Sequence, residues 1–170
     1  MVPGGVHVGP YVLVRELARG AMGVVYEAQA RLSRWSEAIE PFEKVLALVP
    51  DDPGGFGGRG TALGLSGRHA EGIRDLERAL KDRPDNFQLW LALATCRGDA
   101  GDAAGSRDAA ERVLASQPQD SAAFRLRALA RANLGDVDGA LADATWLRDN
   151  APELYARDPS LQALVRKLQR

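Results

Sequence analysis

Large and small apolar residues recur along this chain at one fixed interval of 34 residues. Two sets of positions keep the interval, the first large and the second small: Phe56, Trp90 and Phe124; Gly60, Ala94 and Ala128. A period of this length is typical of chains that stack one supersecondary unit on the next. The pattern therefore predicts a repeat architecture in which each unit has a bulky anchor and a small residue at a close contact.

Glycine and proline recur with the same period and mark where helices end. The two sets are Gly67, Gly101 and Gly135, and Pro50, Pro84, Pro118 and Pro152. Glycine supplies the positive φ of a tight turn, and proline ends a helix because it lacks a backbone donor. Each period therefore holds two helices, and the first unit contributes a good second helix over 35–48. The six predicted helices that follow span 54–66, 69–82, 88–100, 103–116, 122–134 and 137–149.

A final helix is expected after the last repeat. Asp158 can cap it, and Pro159 suits its first position. Its apolar stripe consists of Leu161, Leu164, Val165 and Leu168. We expect this helix to cap the stack, because each unit buries its apolar face only against its neighbours.

The repeated residues resemble those of the tetratricopeptide repeat. Residues 37–46, EAIEPFEKVL, are similar to the second helix of that repeat, and residues 48–53, LVPDDP, to its inter-repeat turn. The resemblance implies an all-α solenoid of about three and a half helical hairpins plus a C-terminal capping helix. The predicted organisation is a distinct N-terminal segment over 1–28, the solenoid over 29–152 and the capping helix over 153–170.

The N-terminal segment follows a different pattern. Residues 11–28, YVLVRELARGAMGVVYEA, resemble the first strand, glycine-rich loop and second strand of bacterial serine/threonine protein kinases. In that family the loop backbone covers the ATP phosphates. The resemblance implies a vestigial nucleotide-binding loop, in which Ala18 replaces the first glycine. The residues of this loop that would contact the nucleotide are Gly20, Met22, Gly23 and Val25.

The residues that kinase chemistry requires are missing from the pattern. Continuing the kinase alignment without gaps places Glu40 where that family has a phosphate-binding lysine, and a carboxylate there would repel phosphate. The nearest match to the catalytic loop, residues 73–76, lacks the histidine, and Leu80 stands at the metal-binding asparagine. We therefore expect no enzymatic activity and no cofactor. Two alternatives stay open: a fragment of a kinase that uses ATP and magnesium and whose catalytic core is missing from this chain, and a nonfunctional gene fragment that still folds.

The first unit has no recognisable first helix, which register would place near residues 20–32. Val24, Val25, Ala28 and Leu32 have helical spacing, and residues 27–31 have high helix propensity. We hypothesise that part of the kinase-like strand forms the missing helix. A β-hairpin and a disordered segment are the alternatives. Residues 23–29 extended and paired with 11–17 would contradict the helix.

Composition narrows the class of protein. The chain has 170 residues, of which 45% are apolar and 26% charged, and its net charge is −1. Such a balance gives no basic patch for nucleic acid. No apolar run approaches the roughly 20 residues of a membrane span, and the first five residues lack the basic start of a secretory signal. We expect a cytoplasmic protein.

By resemblance to the repeat family, the first helices of the units line a groove that binds a peptide or helix of a partner protein. The expected groove residues are Thr61, Leu65, Gln88, Leu91, Thr95, Asp99, Arg125, Leu129, Ala132 and Asn133. Family members that clamp acidic C-terminal tails use several basic and asparagine side chains. Here only Arg125 and Asn133 are comparable, so we do not expect such a clamp.

Two arginines allow two interpretations. Arg127 and Arg131 lie one helical turn apart and could form a positive stripe for an acidic partner segment, or each could pair locally with an acid such as Asp99, Asp102 or Asp136. The cysteine and the two histidines are interpreted as structural residues and not as reactive or metal-binding ones. Cys96 is read as a small buried apolar residue, and the two histidines, far apart in sequence, suggest no metal site.

The first helix of the second unit is rich in glycine. The helix carries Gly57, Gly58, Gly60 and Gly64. At about 1 kcal/mol each relative to alanine, these residues lower helix propensity by roughly 4 kcal/mol. We expect this hairpin to be the least stable, and we interpret the glycines as damage in preference to a hinge.

Overall fold

The structure is a computed structural model that describes the backbone of residues 6–8, 11–20, 23–30 and 35–168 and the side chains of residues 35–166. In this described part, three strands precede nine helices. The strands are β1 (Val6–Val8), β2 (Tyr11–Gly20) and β3 (Gly23–Ala30). The helices are α1 (Ile39–Leu48), α2 (Pro53–Leu65), α3 (His69–Asp82), α4 (Phe87–Asp99), α5 (Ala103–Ser116), α6 (Ser121–Asn133), α7 (Val137–Asn150), α8 (Pro152–Arg157) and α9 (Pro159–Leu168).

The N-terminal segment forms an antiparallel sheet in the order β1-β2-β3. Tyr11 pairs with Ala30 at one end of the β2–β3 hairpin, and Gly20 pairs with Gly23 at the other. The hypothesis that residues near 20–32 form the missing first helix is therefore wrong. Valine and tyrosine in residues 24–26 favour an extended chain, and cross-strand pairing overrides the helix propensity of the following residues. Within the described residues, α1 has no preceding helix.

The predicted helices of the repeats are confirmed. Each helix from α2 to α7 begins and ends within one residue of its predicted bounds. The prediction for the first unit was too long, because residues 35–38 form a turn and α1 begins at Ile39. Helix α8 is not among the predicted helices, because the repeat pattern assigns its first residue, Pro152, only to the end of the preceding helix.

Capping side chains set the start of the first helix in each hairpin. Asp52 accepts a hydrogen bond from the backbone of the first turn of α2. Asn86 does the same for α4, and Asp120 accepts from the Ala123 N–H of α6 at 2.7 Å. Such caps satisfy backbone donors that have no partner within the helix. The turn between the two helices of each hairpin holds a glycine with positive φ: Gly67 (87°), Gly101 (85°) and Gly135 (83°).

The hairpins α2–α3, α4–α5 and α6–α7 stack so that their first helices touch. Helix α4 contacts both α2 and α6, and α6 also contacts α9. The second helices α3, α5 and α7 have no comparable contacts with one another. The first helices therefore lie on the inner side of the curved stack, and we call the surface of α2, α4 and α6 the inner face.

The repeated aromatic anchor contacts the second helix of its own hairpin in every complete unit. In the fourth unit, the Phe124 and Trp146 rings stack with centroids 3.8 Å apart and planes 10° apart. In the third unit, the Arg112 guanidinium lies 5.9 Å from the Trp90 ring centroid, and in the second, Arg78 lies 6.0 Å from the Phe56 centroid. Positions 78, 112 and 146 are equivalent in the repeat. The contact with the aromatic anchor is therefore made by arginine in two units and by tryptophan in the third.

The glycines of α2 lie at close contacts, and this corrects their interpretation as damage. A Cβ atom at Gly60 would lie 2.9 Å from the Gly72 carbonyl oxygen of α3, and one at Gly57 would lie 2.7 Å from a Leu89 methyl carbon of α4. Gly57, Gly60 and Gly64 are all buried. The missing side chains let α3 and α4 approach the α2 backbone. The lower stability expected for this hairpin stays a prediction.

The C-terminal helix α9 packs against α6 and α7. Leu161 is fully buried there in a cluster with Ala128, Ala144 and Leu147, and Leu164 and Val165 pack against that cluster. Leu168 lies in α9, but its side chain is outside the described residues. The predicted cap and stripe of α9 are thus present over residues 158–165.

Candidate functional site

One cavity of about 260 Å³ opens on the inner face between α2 and α4. Six of the predicted groove residues line it: Thr61, Leu65, Gln88, Leu91, Thr95 and Asp99. Five further lining residues were not among those predicted: Gly60, Gly64, Leu76, Ala92 and Cys96. The repeat register could have pointed to Gly60 and Gly64, since both lie one helical turn or less from predicted groove positions.

Glycine in α2 shapes this cavity. A Cβ atom at Gly64 would lie 2.6 Å from the Cys96 Sγ atom of α4, so the thiol occupies the space that a side chain would fill. Cys96 and Leu76 are buried, whereas Leu91 is half-buried and Leu65 is exposed. The cavity therefore has an apolar interior with leucine side chains at its wall.

The hydroxyl groups at the cavity are already bonded as donors. Thr61 Oγ1 donates to the Gly57 carbonyl at 2.8 Å, and Thr95 Oγ1 donates to the Leu91 carbonyl at 3.0 Å. Both bonds run back along the residue's own helix, so each oxygen keeps a lone pair that can accept from a ligand. Gln88 is exposed and can donate or accept.

Among the described residues that line the cavity, Asp99 alone is charged. It is the last residue of α4 and is exposed. No ion pair involves its carboxylate within the described part of the chain. The rim of the cavity thus carries one uncompensated negative charge.

The Cys96 thiol is unreactive in character. Burial raises the pKa of Cys96, and the nearby negative charge of Asp99 raises it further. The Sγ atom lies 3.6 Å from the His69 carbonyl oxygen, to which the thiol donates. Since the thiolate is the nucleophile, a raised pKa disfavours covalent chemistry at neutral pH. The interpretation of Cys96 as a small buried residue is confirmed.

The other predicted groove residues lie on α6 and outside this cavity: Arg125, Leu129, Ala132 and Asn133. Arg125 Nε donates to the Asp158 carboxylate, which comes from the segment before α9. Asp158 Oδ1 also accepts from the Leu161 N–H at 3.0 Å. Burial acts to raise the pKa of Asp158, but the hydrogen bonds from Arg125 and the α9 backbone outweigh it and hold that pKa below its usual value.

The two arginines of the predicted positive stripe pair within the chain. Arg127 binds Asp143 through two N–O contacts of 2.7 and 2.9 Å. Arg131 lies 3.0 Å from Asp143, 3.5 Å from Asp136 and 3.7 Å from Glu111. Of the two interpretations of these arginines, local pairing is the one confirmed. Their charges are compensated on the side of α6 that faces α7 and α5.

The kinase-like loop stays a prediction. Gly20 ends β2 and Gly23 begins β3, and Val25 lies within β3. Met22 is outside the described residues. An antiparallel hairpin occurs in many folds and does not identify a nucleotide site.

The described residues hold neither a membrane-spanning helix nor a cluster of metal ligands. None of the helices there is long and apolar enough to cross a bilayer. No group of three or more histidine, cysteine or acidic side chains in the same part of the chain is placed to hold a metal ion.

Comparison with known proteins gives a match to a repeat profile over part of the chain and a fold. A profile of the tetratricopeptide repeat matches residues 65–130. No curated protein sequence matches the chain significantly. Among solved structures, MamA (residue 41 to the end) from Desulfovibrio magneticus RS-1 has a TM-score of 0.70 and 22% identity, over 81% of this chain and 78% of that chain.

Two further structures show the same architecture at lower identity. Another MamA structure has a TM-score of 0.62 and 18% identity, over 67% of this chain and 66% of that chain. A tetratricopeptide repeat protein from Parabacteroides merdae ATCC 43184 has a TM-score of 0.65 and 14% identity, over 79% of this chain and 51% of that chain. Similarity at this level establishes the fold, so the helical part of the chain is a tetratricopeptide-type solenoid.

Proposed function

We propose that this protein is a non-catalytic interaction scaffold that binds a peptide or helix of a partner protein along the inner face. The observation that carries the proposal is the cavity between α2 and α4, which collects six groove positions from two successive repeats. A stack of hairpins presents an extended surface of this kind to a bound segment. Partner recognition then uses the first helices, while the second helices hold the stack together.

The chemistry of the inner face suits binding. An apolar cavity with a few polar groups at its rim is the common form of a recognition site. Here the leucines of α2 and α4 supply apolar contact, and Thr61, Thr95 and Gln88 supply hydrogen-bonding groups. The proposal needs no cofactor and no bound metal.

An acidic tail is disfavoured as the ligand. The clamp of such tails needs several free cations, and Arg125 on the inner face is already bonded to Asp158. Arg127 and Arg131 are likewise paired with acids of the same chain. A ligand carboxylate would have to compete with these intramolecular partners.

Site-specific photo-crosslinking tests the scaffold function. A photoreactive amino acid at exposed Leu65 of the inner face is compared with one at exposed Ala104 on α5. The variants are irradiated in an extract of the cells that produce the protein. We expect a discrete crosslinked partner from position 65 only, which Thr95→Tyr removes by filling the cavity. Identical products from both positions, or none from position 65, would contradict binding at the inner face.

A further inference from the structure

The cavity between α2 and α4 has the size of a site for one side chain. Its volume of about 260 Å³ falls below the roughly 300 Å³ at which sites for whole small molecules begin. Leu76 and Cys96 are buried at its interior. A charged group placed there would lose its hydration without an ionic partner. The interior therefore selects a bulky apolar side chain.

The rim of the cavity selects charge. Asp99 lies at the C-terminal end of α4, where the partial negative charge of the helix adds to its own. No cation of the described residues pairs with it. Arg125, the cation at a groove position of α6, is held by Asp158. A positively charged ligand group at the rim would thus meet a carboxylate that has no ion-pair partner among the described residues.

The repeat register makes this charge unique to one unit. The positions equivalent to Asp99 are Leu65 on α2 and Asn133 on α6, and neither is charged. The cavity residues and Asp99 therefore form a combined site that the neighbouring units do not repeat. Binding there would fix the register of a peptide along the stack.

We propose that the α2–α4 cavity holds a large aliphatic or aromatic side chain of a partner peptide, and that a lysine or arginine within a few residues of this anchor pairs with Asp99. This inference rests on the scaffold function and specifies the class of partner. The occupant is a basic apolar segment, and Asp99 disfavours an acidic one.

Selection from a random dodecapeptide library displayed on phage tests the proposal. The full chain is the target, and the selection is repeated on Asp99→Lys and on the matched Asn133→Lys, which adds a charge at the same register in α6. With the original chain and with Asn133→Lys, we expect peptides in which Leu, Phe or Trp lies close to Lys or Arg. With Asp99→Lys, we expect acidic residues in place of the basic ones.

Affinities of the selected peptides give the magnitude. Changing the basic residue to glutamate should weaken binding about three- to fivefold, the upper part of the range for an exposed ion pair, and the effect should shrink at high salt. Changing the apolar anchor to alanine should weaken binding by about tenfold or more. Circular dichroism shows whether each variant is folded, and replacing an acid at a helix C-terminus by lysine favours the helix.

Thr95→Tyr and Leu129→Tyr separate this proposal from the scaffold function. Thr95 lines the cavity, and Leu129 is its equivalent on α6, outside the cavity. Binding lost in Thr95→Tyr and kept in Leu129→Tyr, with no basic preference, overturns the charge assignment and leaves the scaffold. Binding equal in both overturns the cavity as the anchor site. A selection that yields no binder also overturns the inference, and photo-crosslinking then decides the scaffold function.

Discussion

Arg127 on α6 and Asp143 on α7 form a two-point ion pair, with side chains only 18% and 4% exposed. The same pair, Arg59 and Asp75, stands two repeats earlier with N–O contacts of 2.6 and 3.0 Å. In the repeat between them, the equivalent residues Leu93 and Ala109 are apolar, and each is 1% exposed. One contact between the two helices of a hairpin is therefore made ionically in two units and by apolar packing in the third.

Replacing one member of the pair should destabilise more than replacing both. Asp143→Ala leaves Arg127 half-buried without its partner and removes one of the acids beside Arg131, and we expect a loss of about 3 kcal/mol in the free energy of unfolding. Adding Arg127→Leu copies the third unit and should recover most of that loss. Urea denaturation of the two single variants and the double variant measures both effects. If the losses of the two single variants added up in the double variant, the apolar pair would be stable only in the surroundings that the third unit gives to Leu93 and Ala109.

Gly64→Ala should destabilise the protein although alanine favours a helix by about 1 kcal/mol. The new methyl group would lie 2.6 Å from Cys96 Sγ, and overpacking of this kind costs about 1 to 3 kcal/mol. Adding Cys96→Ala should relieve the clash. Gly98→Ala is the matched control, since its methyl group would lie 3.2 Å from Ser106 Oγ. Thermal unfolding compares the variants, and a stabilised Gly64→Ala would contradict the close approach of α2 and α4.

Cys96 should react slowly with a disulfide reagent in the folded protein. Burial raises the pKa of the thiol and the charge of Asp99 adds to this, so the thiolate fraction at pH 8 is lower than in the unfolded chain. We expect a rate at least about tenfold below that of the urea-unfolded protein, rising with pH. Absorbance of the released thiol measures the rate. Equal rates for folded and unfolded protein would refute the buried placement.

Acid should weaken the C-terminal end of the solenoid. Hydrogen bonds lower the pKa of Asp158 in the folded protein, so its contribution is complete above the unfolded-state value near 3.9 and is lost as pH falls through the folded value. Asp158→Asn should lower stability by about 1 kcal/mol at pH 7 and reduce the acid dependence. Asp85→Asn, at an exposed aspartate, is the control. Unfolding by urea at pH 7 and pH 3 gives both values, and an unchanged pH dependence would contradict the role of Asp158.

Magnesium ATP should leave the melting temperature unchanged to within about 1 °C. A ligand that binds only the folded state must raise that temperature, and the sequence lacks the lysine and aspartates that hold the nucleotide in kinases. Thermal melts followed by tryptophan fluorescence, with and without the nucleotide, make the comparison. A clear rise would favour the kinase-fragment alternative.

Sequence reasoning located the helices well because their ends depend on local residues. Turn glycines and capping residues recur with the anchors, so one unit predicts the next. The predictions from sequence were wrong where the structure of a segment depends on contacts with residues outside that segment. The pairing of β3 with β2 overrode the helix propensity of residues 27–31, and Pro152 can begin a helix as well as follow one.

The sequence predicted which residues lie on the groove surface, but it did not predict that a cavity forms between α2 and α4. The register named Thr61 and Asp99 as groove positions, and the structure places both at one opening. That Gly64 leaves room for Cys96 depends on a contact between different hairpins. Likewise, Arg125 is unavailable to a ligand because it donates to Asp158, a residue that lies beyond the last repeat. Neither contact follows from the spacing within one unit.

The contact of first helices without comparable contact of second helices has a mechanical consequence. Because α2 and α4 touch on the inner side while α3 packs on α4 and not on α5, bending at this joint changes the gap between α2 and α4. The width of the cavity and the curvature of the superhelix therefore change together. If a partner side chain occupies the cavity as proposed, it would act as a spacer that fixes this angle, and occupancy at one joint would set the separation of the two ends of the solenoid.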